Sequence, residues 1–252
     1  MTVLYNSSVM QKFDAPSEKL GYTSWFYKTI TIPSGLSDVA VILWFLTNGS
    51  PNTNCPLSWI ELEINDIAID AFTVMNIPDD VSYANGVHVL LNVAAGSTIK
   101  VSVGTNYFLV CDRCIIGASI FTGVSHIKGF DVMSNSGNLL NVVDTPTADQ
   151  IVFDLVSGVG ITTALPTSSV ITSTGKDNLR DPGTDPVWHY GTIATGYRVS
   201  SGPNVGMLWD SVPNDGFWQP DPWPYPISHI SLRLYEAETT GVAGFKPKII
   251  MF

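Results

Sequence analysis

The sequence predicts an all-β protein: an antiparallel β-sandwich or barrel with long Pro- and Trp-rich loops. Three observations carry this expectation. Apolar residues recur with period two or in short runs from end to end, and no stretch shows a helical stripe. Turn signals rich in Gly, Pro, Asn and Ser break these runs at intervals of roughly 10 to 20 residues, with no helix between them. The 252 residues also suffice to bury roughly 70–75% of the unfolded surface in one body.

Taken in order, Trp25–Ile32 is rich in aromatic and β-branched residues and stops at Pro33-Ser-Gly. Val39–Leu46 is apolar at all eight positions, the pattern of a central strand covered on both faces. It ends at Thr47-Asn-Gly-Ser-Pro51, a dense turn signal. Trp59–Ile64 alternates, with Ile60, Leu62 and Ile64 on one face and Glu61 and Glu63 on the other. Those two glutamates are therefore expected on a solvated strand face rather than as a catalytic pair. Gly86–Val93 and Thr98–Val103 flank Ala94-Ala-Gly-Ser, which reads as a hairpin-like turn. Cys114–Phe121 reads as a buried strand, and Ile151–Val156 follows a loop over Asn135–Gln150. Further strands are expected at Thr192–Val199, Val205–Asp210 and Ser228–Tyr235. In the last, Ile230, Leu232 and Leu234 face one way, and His229, Ser231 and Arg233 face the other, toward solvent. No composition break divides the chain, so residues 1–237 are expected to form a single sandwich domain and 238–252 a C-terminal extension or arm.

Composition excludes several classes of function. Charged residues make up only 13% of the chain, about half the usual share, beside 45% hydrophobic residues. Twelve Lys and Arg stand against 22 Asp and Glu, a net charge of −10, which argues against any electrostatic grip on nucleic acid or anionic lipid. The longest apolar run, eight residues, is far short of the roughly 20 that a spanning helix needs. The N-terminus shows no basic region followed by an apolar one, so the expectation is a soluble protein made inside the cell. Between Lys28 and Lys100 there is no Lys or Arg, while Asp38, Glu61, Glu63, Asp66, Asp70, Asp79 and Asp80 fall in that span. One part of the surface is thus acidic or neutral.

The motifs offer no chemistry. Cys55, Cys111 and Cys114 are an odd count, unlike a disulfide framework. Cys111-Asp-Arg-Cys114 has the form C-x-x-C, yet it is followed by a strand-like run rather than the helix that would lower a thiol pKa. No further pair of ligands stands at metal-site spacing among His88, His126, His189 and His229. The loop aspartates Asp177, Asp181, Asp185, Asp215 and Asp221 match no calcium loop, and no nucleophile elbow, zinc helix, phosphate loop or dinucleotide fingerprint occurs. The expectation is a protein that is not an enzyme, with no metal and no cofactor.

Two segments read as loops: Lys176–Tyr190 and Pro213–Pro226, which hold Trp188, Trp218 and Trp223, three of the seven tryptophans. Two readings of these aromatics stay open, a contact surface or caps on the ends of the core.

The order of segments resembles a divergent group of jelly-roll-like β-sandwich virion and surface proteins encoded by tailed bacteriophages and some bacteria. Thr29–Gly35 and Val39–Leu46 are similar to its opening strand, turn and apolar run, and Ile60–Ala68 to the strand that follows. Leu91–Val103 resembles a "Leu-x-Asn-Pro-x-Ala-Gly-Thr-x-Thr-Val-x-Val" segment. Gly117-Ala-Ser-Ile-Phe-Thr-Gly-Val124 is similar to "Gly-Ala-Val-Ser-Phe-Thr-Gly-Val", the most specific piece. Asp149–Asp154 and Ser228–Glu236 resemble its later strands. The likeness covers Tyr22–Ala237, and its motifs are structural, so no catalytic residue carries over.

The resemblance implies a phage virion structural protein, assembled in the host cytoplasm, that decorates or cements a capsid by subunit–subunit adhesion. Its partners would be further copies of itself and other virion proteins, the major capsid protein first among them. Trp188, Phe217, Trp218, Trp223 and Tyr225 would anchor the contact, with Phe245 and Phe252 on a C-terminal arm. The alternative is a tail or appendage protein whose aromatic loops bind carbohydrate or a host receptor.

Overall fold

A computed structural model describes residues 3–21, 23–48, 57–72, 83–106, 113–134, 141–143, 150–159, 161–166, 171–178, 191–200, 204–206, 209–213 and 227–236. Among these residues every regular element is a strand and every pairing is antiparallel. No helix there is long and apolar enough to cross a membrane. The predicted all-β antiparallel sandwich is what the chain forms.

The strands up to Thr122 make two sheets. One contains β1 (Leu4–Phe13), β4 (Val39–Asn48), β7 (Tyr83–Val93) and β9 (Cys114–Thr122), in the order β1-β9-β4-β7. The other contains β2 (Glu18–Leu20), β3 (Thr23–Thr31), β5 (Leu57–Ile64), β6 (Ile67–Phe72) and β8 (Thr98–Asn106), in the order β2-β3-β8-β5-β6. With the short β2 set aside, eight strands form two four-stranded sheets with the connectivity of a jelly roll, the chain changing sheet at every step but the β5–β6 hairpin.

Gly123, at φ +73°, turns the chain from β9 into β10 (Val124–Ser134), and there the second half begins. It adds β11 (Asn141–Val143), β12 (Gln150–Val159), β13 (Ile161–Pro166), β14 (Thr172–Asn178) and β15 (Gly191–Ser200). After these come β16 (Asn204–Gly206), β17 (Trp209–Pro213) and β18 (Ile227–Glu236). Its main sheet runs β10-β18-β12-β15-β14, and two small sheets pair β11 with β16 and β13 with β17. The order β10-β18-β12-β15 repeats β1-β9-β4-β7: the first strand of the half, then the last, then two from between. The small pairs repeat β3-β8-β5, with β16 and β17 together in the place of β8. The chain therefore carries the same strand order twice.

The layers stack. Ala40, Ile42, Trp44 and Leu46 of β4 meet Ile151, Phe153 and Leu155 of β12 and Ile230, Leu232 and Leu234 of β18 in one apolar core. From the other face of β4, Val41, Leu43 and Phe45 meet Phe26, Ile60, Leu62, Val101 and Val103 in a second core. The sheet holding β4 is thus covered on both sides, which is why Val39–Leu46 carries no polar residue. At the seam between the halves, Tyr5 and Phe121 meet Phe153 and Tyr197, with ring centroids 4.8–6.1 Å apart.

Four expectations are corrected. The Ala94–Ser97 turn does not close a hairpin: β7 pairs with β4 and β8 with β3 and β5, so the turn carries the chain from one sheet to the other. Ile60–Ala68 is not one strand, because Asn65 and Asp66, at φ +50° and +63°, fold it into the β5–β6 hairpin. Val205–Asp210 splits between β16 and β17, which pair with different strands. Ser231 and Arg233, on the face of β18 expected toward solvent, are both at 0% exposure. In addition, Asn141–Val143 form a strand inside the segment expected to be a loop, and Lys176–Asn178 belong to β14. Residues 238–252, the expected arm, lie outside the described residues.

Candidate functional site

An apolar cleft of about 360 Å³ lies between β6 and β7, the edge strands of the first two sheets. Ile64, Ile67 and Ile69 form one wall, and Leu90, Leu91, Val93 and Ala94 the other. Asn65, Asn92 and Ser97 close its end.

Local chemistry builds this mouth. The two-residue turn Asn65-Asp66 adopts left-handed backbone at both positions, which Asn and Asp tolerate better than other side chains. Asn65 is then tied across to the next turn: its backbone NH donates to Thr98 O at 2.9 Å, and Thr98 NH donates to its Oδ1 at 2.9 Å. Its Nδ2 donates to Ser97 Oγ at 3.4 Å. On the other wall Asn92 is also left-handed, at φ +56°, near the point where the β4–β7 register shifts between Val39 and Val41. Leu91 continues Val87 and Val89 into the seam core, and the irregularity brings Val93 to the same side as Leu90, in the second core. Of the four left-handed residues other than glycine among the described residues, Asn65 and Asn92 line this cleft and Asp66 stands beside Asn65.

Among the described residues, no ionisable side chain lines the cleft. Its walls suit an uncharged apolar group, and its amides and hydroxyl can orient a polar atom at the end. Acid stands just outside. Asp66 is exposed at the turn, and Glu63 Oε1 accepts from Lys100 Nζ at 2.9 Å. That hydrogen bond, with the nearby carboxylates of Glu63 and Asp66, raises the Lys100 pKa. At the lip Ile67 is 72% exposed, the most exposed of the large apolar side chains described.

The second feature is polar. On the side of the β12 sheet facing away from the seam, Gln150, Asp154, Thr192, Ser231 and Arg233 are all buried. Ser231 Oγ donates to Asp154 Oδ1 at 2.7 Å. Arg198 stands opposite Val152 on one flank and Arg233 opposite it on the other.

The aromatic anchors expected from sequence, Trp188, Phe217, Trp218, Trp223, Tyr225, Phe245 and Phe252, lie outside the described residues. So do Cys55, Cys111, Asp181, Asp185, Asp215 and Asp221. Cys114 is buried at the start of β9. Among the described residues no three His, Cys, Asp or Glu side chains gather as a metal site. Glu61 is exposed and Glu63 partly so, as the alternation of their strand predicts. The cleft itself escapes sequence reasoning because its walls come from separate strands; the legible signal was Asn-Asp between two alternating runs.

No protein-family model matches the chain, and no curated protein matches its sequence. Among solved structures it is similar to dimeric latent PorU from Porphyromonas gingivalis, at 11% identity and a TM-score of 0.28. That match covers 85% of this chain and 22% of the other, so the chain spans about a fifth of PorU. It is also similar to PNGase F, a glycosylasparaginase from Flavobacterium meningosepticum, at 14% identity and a TM-score of 0.27, covering 91% and 96% of the two chains. At these scores the likeness carries no argument about what this chain does.

Proposed function

We propose that this chain is a structural subunit of a phage virion, one that decorates or cements the capsid surface by adhesion to its neighbours. The observation that carries the proposal is the apolar cleft with Ile67 exposed at its lip, set on a body made of stacked sheets. A stack with two apolar cores is stiff, and a stiff subunit loses little entropy when a neighbour docks. The sparse charge of the chain, 13%, suits surfaces that neighbours cover. Repetition over a lattice makes many weak contacts strong in sum. The jelly-roll connectivity and the segment order from Tyr22 to Ala237 support the virion setting. The role is adhesive, and its partners are copies of itself and the major capsid protein.

Antibody labelling of particles purified from the source of the chain tests this. Regular label on the capsid exterior is the expected outcome. Particles that carry no label, with the protein found only in the soluble fraction, would sink the proposal.

A further inference from the structure

The first jelly roll has an apolar projection at one end and the apolar cleft at the other. The projection is the β2–β3 hairpin, where Leu20 is 56% exposed beside exposed Lys19, and Gly21 at φ +60° makes the turn. The hairpin is braced. Ser17 NH donates to Trp25 O at 2.8 Å, Tyr27 NH donates to Ser17 Oγ at 3.2 Å, and Tyr27 Oη donates to Glu18 Oε2 at 2.6 Å. Glu18 is thereby turned onto Tyr27, and Lys19 is the cation left at the tip.

β3 links the two features. It leaves the hairpin at Thr23 and ends at Thr31; the next residue, Ile32, exchanges backbone hydrogen bonds with Gly96 and Ser97, in the turn that bounds the cleft. Nine strand residues at about 3.3 Å each put projection and cleft roughly 30 Å apart, at opposite ends of one sheet. The charges are complementary. The residues lining the cleft fall in the span that has no Lys or Arg between Lys28 and Lys100; Lys100 beside it is paired with Glu63, Asp66 stands exposed at the turn, and the projection offers Lys19.

We propose that a second copy of this chain fills the cleft: the Lys19–Leu20 projection of one copy seats in the cleft of the next, with Leu20 between the isoleucine and leucine walls and Lys19 beside Asp66. This deepens the adhesive role proposed above and rests on it. The two surfaces differ, so the contact is head-to-tail, and it propagates into a ring or a filament rather than closing as a symmetric dimer. One hairpin is smaller than a standard interface, so the contact is weak singly and acts through repetition.

A mixing experiment with the full chain, read by sedimentation velocity, tests this. The wild type is expected to form a concentration-dependent series of oligomers. Leu20→Asp removes the projection and Ile67→Asp spoils the cleft, each on an exposed site where folding is not at stake. Each variant alone should be monomeric, with association weakened at least tenfold, while the two mixed should give a 1:1 dimer and nothing larger. Lys19→Glu should weaken association, and Asp66→Lys added to it should restore it. A wild type that stays monomeric at its highest soluble concentration overturns the proposal, as does association untouched by both variants. Particle labelling as expected above, with no mixed dimer, would remove this contact and leave the adhesive role standing.

Discussion

The two halves of the chain repeat one strand order and fill it with opposite chemistry. In the first half the pairs Val41–Ile120, Leu43–Ala118 and Phe45–Ile116 face the space behind the seam sheet, and all six side chains are buried in an apolar core. In the second, the register of β12 and β18 puts Val152–Arg233, Asp154–Ser231 and Val156–His229 in the corresponding rows. Asp154, Ser231 and Arg233 are as fully buried as the aliphatics of the first half. One strand order thus tolerates either filling. The apolar filling contributes roughly 25 cal/mol per Å² of surface removed from water, whereas a buried polar set contributes little net stability and is costly to break.

Exchanging the fillings breaks this comparison most directly. Leu43→Asp places a carboxylate among Phe26, Val101 and Val103, a core with no acid of its own, and should cost more than ~4 kcal/mol. Loss of the folded fraction in circular dichroism and urea unfolding would register it. The reverse exchange should be milder. Asp154→Leu strips the Ser231 hydroxyl of its acceptor, at about 3 kcal/mol, and adding Ser231→Ala should recover part of that loss, because no hydroxyl is then stranded. A larger loss from Asp154→Leu than from Leu43→Asp would show that the polar face, not the apolar core, holds the chain together.

This contrast also marks how far the sequence is legible. Val39–Leu46 announces a strand covered on both faces, since only such a strand has no use for polar residues. Ile60-Glu-Leu-Glu-Ile64 announces one buried face and one wet one, and both statements hold. Ile230-Ser-Leu-Arg-Leu234 has the same period, but its polar face is buried. Period two reveals that two faces differ in chemistry, not which of them meets water; that is decided by what the rest of the chain lays over it. The Ala94–Ser97 turn fails for a related reason, because turn chemistry is local and the choice between closing a hairpin and crossing to another sheet is not. β1 carries no signal at all: it is an edge strand whose residues are half-buried or exposed throughout, so no face of it is consistently apolar.

The seam between the halves rests on a close approach. Gly117 of β9 stands opposite Trp44 of β4, and a methyl group at Gly117 would overlap the indole at Cζ2, Cη2 and Cε2. On the far side, a methyl group at Gly175 of β14 would come within 3.9 Å of the same ring. The indole therefore lies in a slot floored by one glycine and roofed by another strand, with no room to retreat. Gly117→Ala should cost about 3 kcal/mol through overpacking. In a Trp44→Leu background, already weakened by its own cavity, the same change should cost under about 1 kcal/mol more. A chemical-denaturation cycle over the four proteins measures the coupling; costs that simply add would show that the indole is not what Gly117 makes room for.

The smallest expected effect sharpens the comparison from within the apolar half. His88 of β7 is 2% exposed and alternates with Val87 and Val89, so it faces the second core as Leu90 does. Burial lowers its pKa from the ordinary 6.5 to about 4, because the core disfavours the charged imidazolium. The folded state thus binds a proton less readily than the unfolded chain. The contribution of a neutral His88 is fully present above pH 6.5, falls as the pH drops below that, and levels off near pH 4. By pH 5 the loss relative to pH 8 should be about 2 kcal/mol. His88→Asn should remove this part of the acid sensitivity while leaving the part due to carboxylates. Urea midpoints for both proteins between pH 8 and pH 5 decide it: converging curves at acid pH support a neutral histidine in the second core, and parallel curves would mean that His88 titrates alike in the folded and unfolded chain.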